Sequence, residues 1–387
     1  MVLDPLLSWT VSSSIIRFLE LAVLCAIIFE EARLIYRNGW FKYRTSVSVI
    51  LALFALYSLF IIVRGDFSGG LKNIVFAINS TDKALAYLLP LIILPLPNIK
   101  YFRSILNVFF YSAMLVFVLW LIWMMQETGG ELVQDEYYGE AIGCYLPFFA
   151  AFLLCFRKFF SAPKRVAIYA VFGIYLVLMI LNARRNVVLS LGLFFLVAYL
   201  TDTIHAIRKK KKVTSNIILA VVGVLAIVLS WDSLSKNMFQ RILERGFEDS
   251  RSNVEILFLT DFASSPAKDW VIGRGMDGTY AQMTENRETN ELSFERPVIE
   301  TGYLNMLLKG GIVYIVLAML LIILAICQGM KSHFHYIRIC AAVLLLYLLD
   351  NYTTNPIALY SVRSIILWTC VSLCLQFNSV IKIARKK

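Results

Sequence analysis

The sequence predicts an all-α polytopic membrane protein with about eleven transmembrane or re-entrant helices, within a range of ten to twelve, and a large helical loop on the outer face. Three observations carry this. Of 387 residues, 59% are hydrophobic and only 16% charged, and the mean hydropathy is +0.72; soluble domains of this size are not built so. The apolar residues come in long blocks, where a closed barrel would show short alternating segments. The basic residues sort by loop, so the net charge of +11 reads as the cytoplasmic excess of Lys and Arg, not as a nucleic-acid footprint.

Apolar runs fall at 15–35, 45–63, 84–96, 105–125, 141–156, 166–181, 187–200, 217–231, 306–327, 339–349 and 357–375. Several are shorter than the roughly 20 residues of a perpendicular crossing, which implies half-buried helices or runs that extend past these limits. Basic residues follow the first run (Arg33, Arg37, Lys42, Arg44), the third (Lys100, Arg103), the fifth (Arg157, Lys158, Lys164, Arg165), the seventh (208–212) and the ninth (Lys331, Arg338), and close the chain (382–387). All belong on the cytoplasmic side. Segment 126–140, with five acidic residues and no Lys or Arg, belongs opposite. An odd number of spans with a cytoplasmic tail puts the N-terminus outside. The first run holds Arg17 and Glu20, three apart and able to pair, so it is a re-entrant or interfacial candidate. No basic region precedes it, and no cleavable signal peptide is expected. The chain divides into membrane helices 1–231, a periplasmic loop 232–302 and membrane helices 303–387.

The seven cysteines lie in or at the edge of apolar runs, the pattern of small buried hydrophobes and not of a disulfide framework or a metal site. His333 and His335 form an HxH in a short basic loop, read as a solvated interface. No metal and no cofactor is expected.

Arg184 and Arg185 stand between the runs 166–181 and 187–200. A charge at hydrocarbon depth costs about 2.5–3.5 kcal/mol on insertion scales, so it is kept where it meets a polar cavity or a partner charge. Guanidinium grips phosphate through a planar fork of donors. The pair reads either as an anion site, for instance for a lipid-linked phosphate, or as interfacial anchors with stems in lipid and heads in water. Its place at the outer end of its helices runs against the charge rule and favours the first.

The loop 232–302 is the one stretch long enough for an outer polar domain. It holds Arg241, Arg245, Arg251, Arg274, Arg287 and Arg296 against Lys236 and Lys268, with thirteen carboxylates. Met238 and Ile242 recur at i,i+4 beside Arg241 and Arg245, an apolar stripe next to a basic one on a short helix. Ser252 followed by Glu255 reads as a capping box that opens the apolar run 254–262, and Ser264-Ser265-Pro266 stops it. Ile272-Gly273-Arg274-Gly275 reads as a tight turn needing positive φ sooner than as a phosphate cradle. Glu300, just before the ninth run, is either a solvated residue near a helix N-terminus or a functional carboxylate.

The order of these pieces resembles the O-antigen polymerase and O-antigen ligase superfamily of bacterial polytopic membrane glycosyltransferases. Three blocks carry the resemblance: Leu181-Asn182-Ala183-Arg184-Arg185-Asn186, with Arg185 the better match to the family's outer arginine; Arg251 followed by its helix and Trp270-Val271-Ile272-Gly273-Arg274-Gly275; and Ile299-Glu300-Thr301-Gly302-Tyr303-Leu304 through Lys309-Gly310-Gly311-Ile312. The resemblance implies a helical membrane fold at the inner membrane, its active site facing the periplasm. It implies transfer of glycan from a polyprenyl diphosphate donor to an acceptor sugar hydroxyl, with inversion and without metal or nucleotide sugar. Ligases typically carry a histidine in the third block; Glu300 stands there instead, which favours a polymerase of O-antigen, capsule or exopolysaccharide repeat units. The implied partners are the polyprenyl-diphosphate-linked glycan donor and acceptor, membrane lipid and a chain-length regulator protein. The implied roles are Arg185 and Arg251 on the diphosphate, Arg184 and Arg245 in support, and Glu300 as base or acceptor orienter. Arg241, Arg274 and Asp249 complete the substrate-binding candidates.

Two other readings stay open. A ligase would move finished glycan onto lipid A core or another acceptor. A lipid-linked oligosaccharide flippase or other transporter would show charges spread along several spans and repeat-related broken helices near the midplane, whereas the polar residues here concentrate at one face and no internal repeat stands out.

Overall fold

The computed structural model describes residues 33, 36, 43–67, 82–96, 101–127, 148–181, 185–208, 250–286, 291–353 and 355–385. In chain order these form α1 (Thr45–Val63), α2 (Ala84–Ile93), α3 (Phe102–Glu127), a 3₁₀ turn (Arg157–Phe159), α4 (Ala162–Leu181), α5 (Arg185–Arg208), α6 (Ser250–Ala263), α7 (Ala267–Ile272), β1 (Tyr280–Asn286), β2 (Glu291–Arg296), α8 (Gly302–Met330), α9 (His335–Thr353) and α10 (Val362–Arg385). Helix dominates, as the apolar blocks require. Among the described residues two helices, α1 and α8, are long and apolar enough to cross a membrane. Apolar helical stretches also run through α2 and through 102–118, 190–201 and 362–376. The runs 15–35 and 217–231 lie largely or wholly outside the described residues. The loop expected to be helical also holds a hairpin: β1 and β2 pair antiparallel, Tyr280 opposite Arg296 and Asn286 opposite Glu291, with an irregularity between Ala281 and Thr284.

The chain folds as two compact units. The first comprises the described residues 101–127, 148–181, 185–208 and 333–346. Its core is aromatic: Phe102 meets Phe156 at 5.5 Å and Tyr336 at 4.8 Å between ring centroids, and Phe109 meets Phe152 at 5.6 Å. Two of the residues read as cytoplasmic cations behave differently. Arg157 is buried and donates to the Leu154 carbonyl at 3.0 Å, whereas Lys164 lies over the Tyr111 ring at 4.6 Å and bonds Asn107 at 3.0 Å.

The second unit comprises the described residues 33, 36, 43–67, 82–96, 250–286, 291–332, 347–353 and 355–385. Four helices each send a large ring to its centre: Phe54 of α1 stacks on Tyr314 of α8 at 5.7 Å and meets Trp368 of α10 at 5.4 Å, while Tyr87 of α2 meets Tyr314 edge-on at 5.6 Å. The opposite flanks of α1 and α8 stay uncovered and apolar, with Leu53, Leu56 and Val63 on one and Ile312, Val316 and Ile323 on the other. Cys370 and Cys374 are buried in α10. The loop residues 250–286 and 291–301 belong to this unit.

Candidate functional site

The described part of the loop, 250–286 and 291–301, is held against α8 by its own apolar core. Phe258 and Phe262, one turn apart on α6, stack at 4.5 Å and are buried with Tyr280 and Ile299 on Leu307 and Leu308 of α8. Trp270 of α7 closes the edge, meeting Phe262 at 5.4 Å and donating its indole N–H to the Phe262 carbonyl at 2.9 Å. Burial pushes the Tyr280 phenol above its ordinary range, with Arg296 pulling the other way, and its hydroxyl donates to Gln282 at 2.7 Å.

Below this core the Gly273-Arg274-Gly275 turn docks on a break in α8. Gly311 has φ of 66°, non-helical for any position within a helix, so the carbonyls just before it lose their intrahelical donors. The turn supplies replacements: Arg274 N–H donates to the Leu308 carbonyl at 2.7 Å and Gly275 N–H to the Lys309 carbonyl at 2.9 Å, while Met276 N–H reaches Ile61 of α1 at 3.1 Å. The turn reading is met literally, with φ of 69° at Gly273 and 88° at Gly275. A Cβ on Gly273 would lie 2.5 Å from the Gly310 nitrogen and the Lys309 carbonyl. These glycines are spent on backbone-to-backbone contact.

The Arg274 side chain is spent on the loop itself. Its guanidinium pairs with Asp261 at 2.7 Å and Asp269 at 3.0 Å, donates to the Thr279 carbonyl and the Ser265 hydroxyl at 2.5 Å each, and lies 4.8 Å from the Phe262 ring centroid.

Four ionic residues outside the expected set fasten the turn to three helices. Arg64, just past α1, donates to the Ile272 carbonyl at 2.7 Å and to the Gly273 carbonyl at 2.8 Å. Lys83, just before α2, pairs with one oxygen of Asp277 at 2.7 Å, and the other oxygen accepts from Asp66 N–H at 2.8 Å. Lys309, 1% exposed, donates to the Met276 and Gly278 carbonyls at 2.8 and 3.0 Å. A signal for two of them exists in the sequence. Under the topology expected from the sequence, Arg64 and Lys83 are cations at the outer ends of their runs, the same departure from the charge rule as Arg184 and Arg185.

The expected residues are placed as follows. Glu300 is exposed immediately before α8, and its carboxylate lies 3.6 Å from Arg296. The N-cap of α8 is Thr301, whose side chain makes no cap hydrogen bond; its hydroxyl donates instead to Glu255 of α6. The capping box is therefore not formed as expected. Helix α6 includes Ser250, so Ser252 lies inside it, and Glu255 turns to a tertiary partner. Arg251 is one turn ahead of Glu255 on α6, and its side chain lies outside the description. That one contact links the helix of Arg251 to the residue following Glu300. Arg185 is the first residue of α5, in the other unit. Arg184, Arg241, Arg245 and Asp249 lie outside the described residues. Among the described residues no group of His, Cys, Asp and Glu is arranged to hold a metal ion.

No family model, no curated protein and no solved structure matches this chain.

Proposed function

We propose that this chain is a multi-pass inner-membrane glycosyltransferase that polymerises polyprenyl-diphosphate-linked repeat units at the periplasmic face, by inversion and without metal. The observation that supports this reading best is the Glu255–Thr301 bond. It joins a helix that carries an arginine near its start to a carboxylate at the mouth of a helix of membrane length, and arginine and carboxylate are the two groups the reaction needs.

The chemistry follows from charge. As the glycosidic bond to the diphosphate breaks, negative charge grows on the leaving oxygens, and guanidinium groups fixed nearby stabilise it; in this reading they are Arg185 and Arg251, supported by Arg184 and Arg245. The interaction strengthens where a membrane lowers the local dielectric. Glu300 takes the proton of the attacking hydroxyl. In this scheme Arg274 shapes the loop, because its donors are already engaged by Asp261, Asp269, Ser265 and Thr279, and contact with substrate is secondary.

The test is the glycan made by cells that lack this chain. Single repeat units on lipid A are the expected result. Finished polymer accumulating on the polyprenyl carrier, with nothing transferred, would identify a ligase and overturn the polymerase assignment.

A further inference from the structure

Helix α6 has two faces, and only one is accounted for. Phe258 and Phe262 point into the loop core. On the other side Ile256 and Leu259 are 59% and 45% exposed, and Ala263 is exposed with them. At 100° per residue these three fall within one sector, turned away from Phe258. A helix in a solvated loop would carry charges there. This one carries none: Glu255 is turned to Thr301 and Asp261 to Arg274, both toward the interior.

Among the side chains described, the remaining polar group on that side is also withdrawn. Thr260 donates its hydroxyl to the Ile256 carbonyl at 2.8 Å, the back-bonding that lets threonine face hydrocarbon with its methyl group. The uncovered flank of α8 has the same character, with Val316 at 55% exposed, and α6 is packed on the first turns of that helix through Leu307 and Leu308. The polar residues resume past the end of α6, at Ser264 and at the exposed Lys268.

We infer that α6 is an interfacial helix whose Ile256–Leu259 face lies against the acyl chains of the bilayer, continuous with the lipid-facing flank of α8. The occupant is membrane lipid. The inference rests on the membrane reading of α8, and it deepens the proposed function. A helix seated at that depth carries the backbone of Arg251 at the level of phosphate headgroups, where the diphosphate of a lipid-linked donor resides.

The full-length protein is reconstituted in phosphatidylethanolamine–phosphatidylglycerol vesicles, with an environment-sensitive fluorescent amino acid installed singly at Ile256, Leu259, Val316 or Lys268. Quenching is compared between phospholipid brominated in its acyl chains and iodide in the buffer. The expected result is bromolipid quenching at Ile256, Leu259 and Val316, and iodide quenching at Lys268. Iodide quenching at Ile256 and Leu259 with bromolipid quenching at Val316 overturns the interfacial helix and leaves the membrane reading of α8 standing. Iodide quenching at all four overturns both. Protection of Ile256 and Leu259 from both quenchers overturns the inference in favour of a protein covering that face. Both sites are exposed, so one labelled protein recovered as a monodisperse species suffices.

Discussion

The Arg64 guanidinium holds the carbonyl oxygens of Ile272 and Gly273 at 2.7 and 2.8 Å, across more than two hundred positions of sequence. It is one of the ties between the loop turn and the end of α1, beside the Met276 N–H bond to Ile61. Hydrogen bonds from a charged donor contribute about 1.5–3 kcal/mol each in favourable cases, and this donor is only partly buried, so the lower end applies. Arg64→Ala is expected to lower the melting temperature of the detergent-solubilised protein and to speed amide exchange across 272–278. Arg64→Lys keeps the charge and loses the fork, and is expected to fall between the two.

Gly273→Ala and Gly311→Ala are expected to be far more damaging. Each needs a positive φ, which costs a non-glycine residue about 1–3 kcal/mol. Each added Cβ would also meet backbone of the facing segment, at 2.5 Å from Gly310 N in one case and from Gly273 N in the other. Backbone on both sides leaves nothing flexible to yield. Gly173→Ala and Gly192→Ala are the controls. Both are helical with open space around the added atom, and Ala is favoured over Gly within a helix by about 1 kcal/mol. Thermal melts of the four variants should therefore separate by sign.

Lys309→Met removes a buried donor from two carbonyls and leaves Met276 and Gly278 without it. An unsatisfied buried acceptor costs about 1–3 kcal/mol, which outweighs the gain from burying a thioether of similar length. The variant is expected to melt lower and to release the loop to limited proteolysis between 273 and 280. Unchanged melting and cleavage would show that the lysine does not hold the loop.

These contacts mark how far sequence pattern reaches. Helices α1 and α8 are legible because their apolar runs are long and carry no charge beyond Lys309. The Gly-Arg-Gly turn is legible because positive φ leaves few alternatives to glycine. Lys309 is not legible as a site: it looks like an isolated cation in an apolar run, and its acceptors lie more than thirty residues earlier. Glu255 shows the opposite failure. Its spacing from Ser252 fits a local capping rule, but Thr301, forty-six positions away, takes the carboxylate. The hairpin is not legible in the sequence, because Leu292 and Phe294 give too short an alternation to stand out beside the charges around them. Arg185 and Arg251 remain as the sequence suggested, candidates by residue type and position.

Arg185→Ala or Arg251→Ala should abolish or greatly reduce polymer while the protein stays inserted at normal level. Loss of one fixed donor to a developing charge costs about 10²–10³-fold in comparable sites. Lysine at either position should restore only part of the activity, because it keeps the charge but not the two parallel hydrogen bonds. Wild-type polymer from Arg185→Ala would return the Arg184–Arg185 pair to the role of interfacial anchors.

Glu300→Gln tests the base directly. In the folded chain the carboxylate is mostly exposed and pairs with Arg296 at 3.6 Å, and exposed pairs of this kind contribute about 0–1 kcal/mol. The substitution should therefore leave folding and membrane insertion unaffected, and any loss can be read as chemistry. Gln retains the size and the hydrogen-bonding capacity but cannot take a proton. A general base contributes roughly 10²–10⁴-fold, so with purified protein and lipid-linked repeat units we expect near-normal donor affinity and a turnover reduced at least about tenfold. Arg296→Ala, which removes this cation and leaves the carboxylate in place, should retain most of the turnover. If Glu300→Gln turns over at the wild-type rate, Glu300 reverts to a solvated residue near the N-terminus of α8. The base is then sought at Asp249, two residues before Arg251.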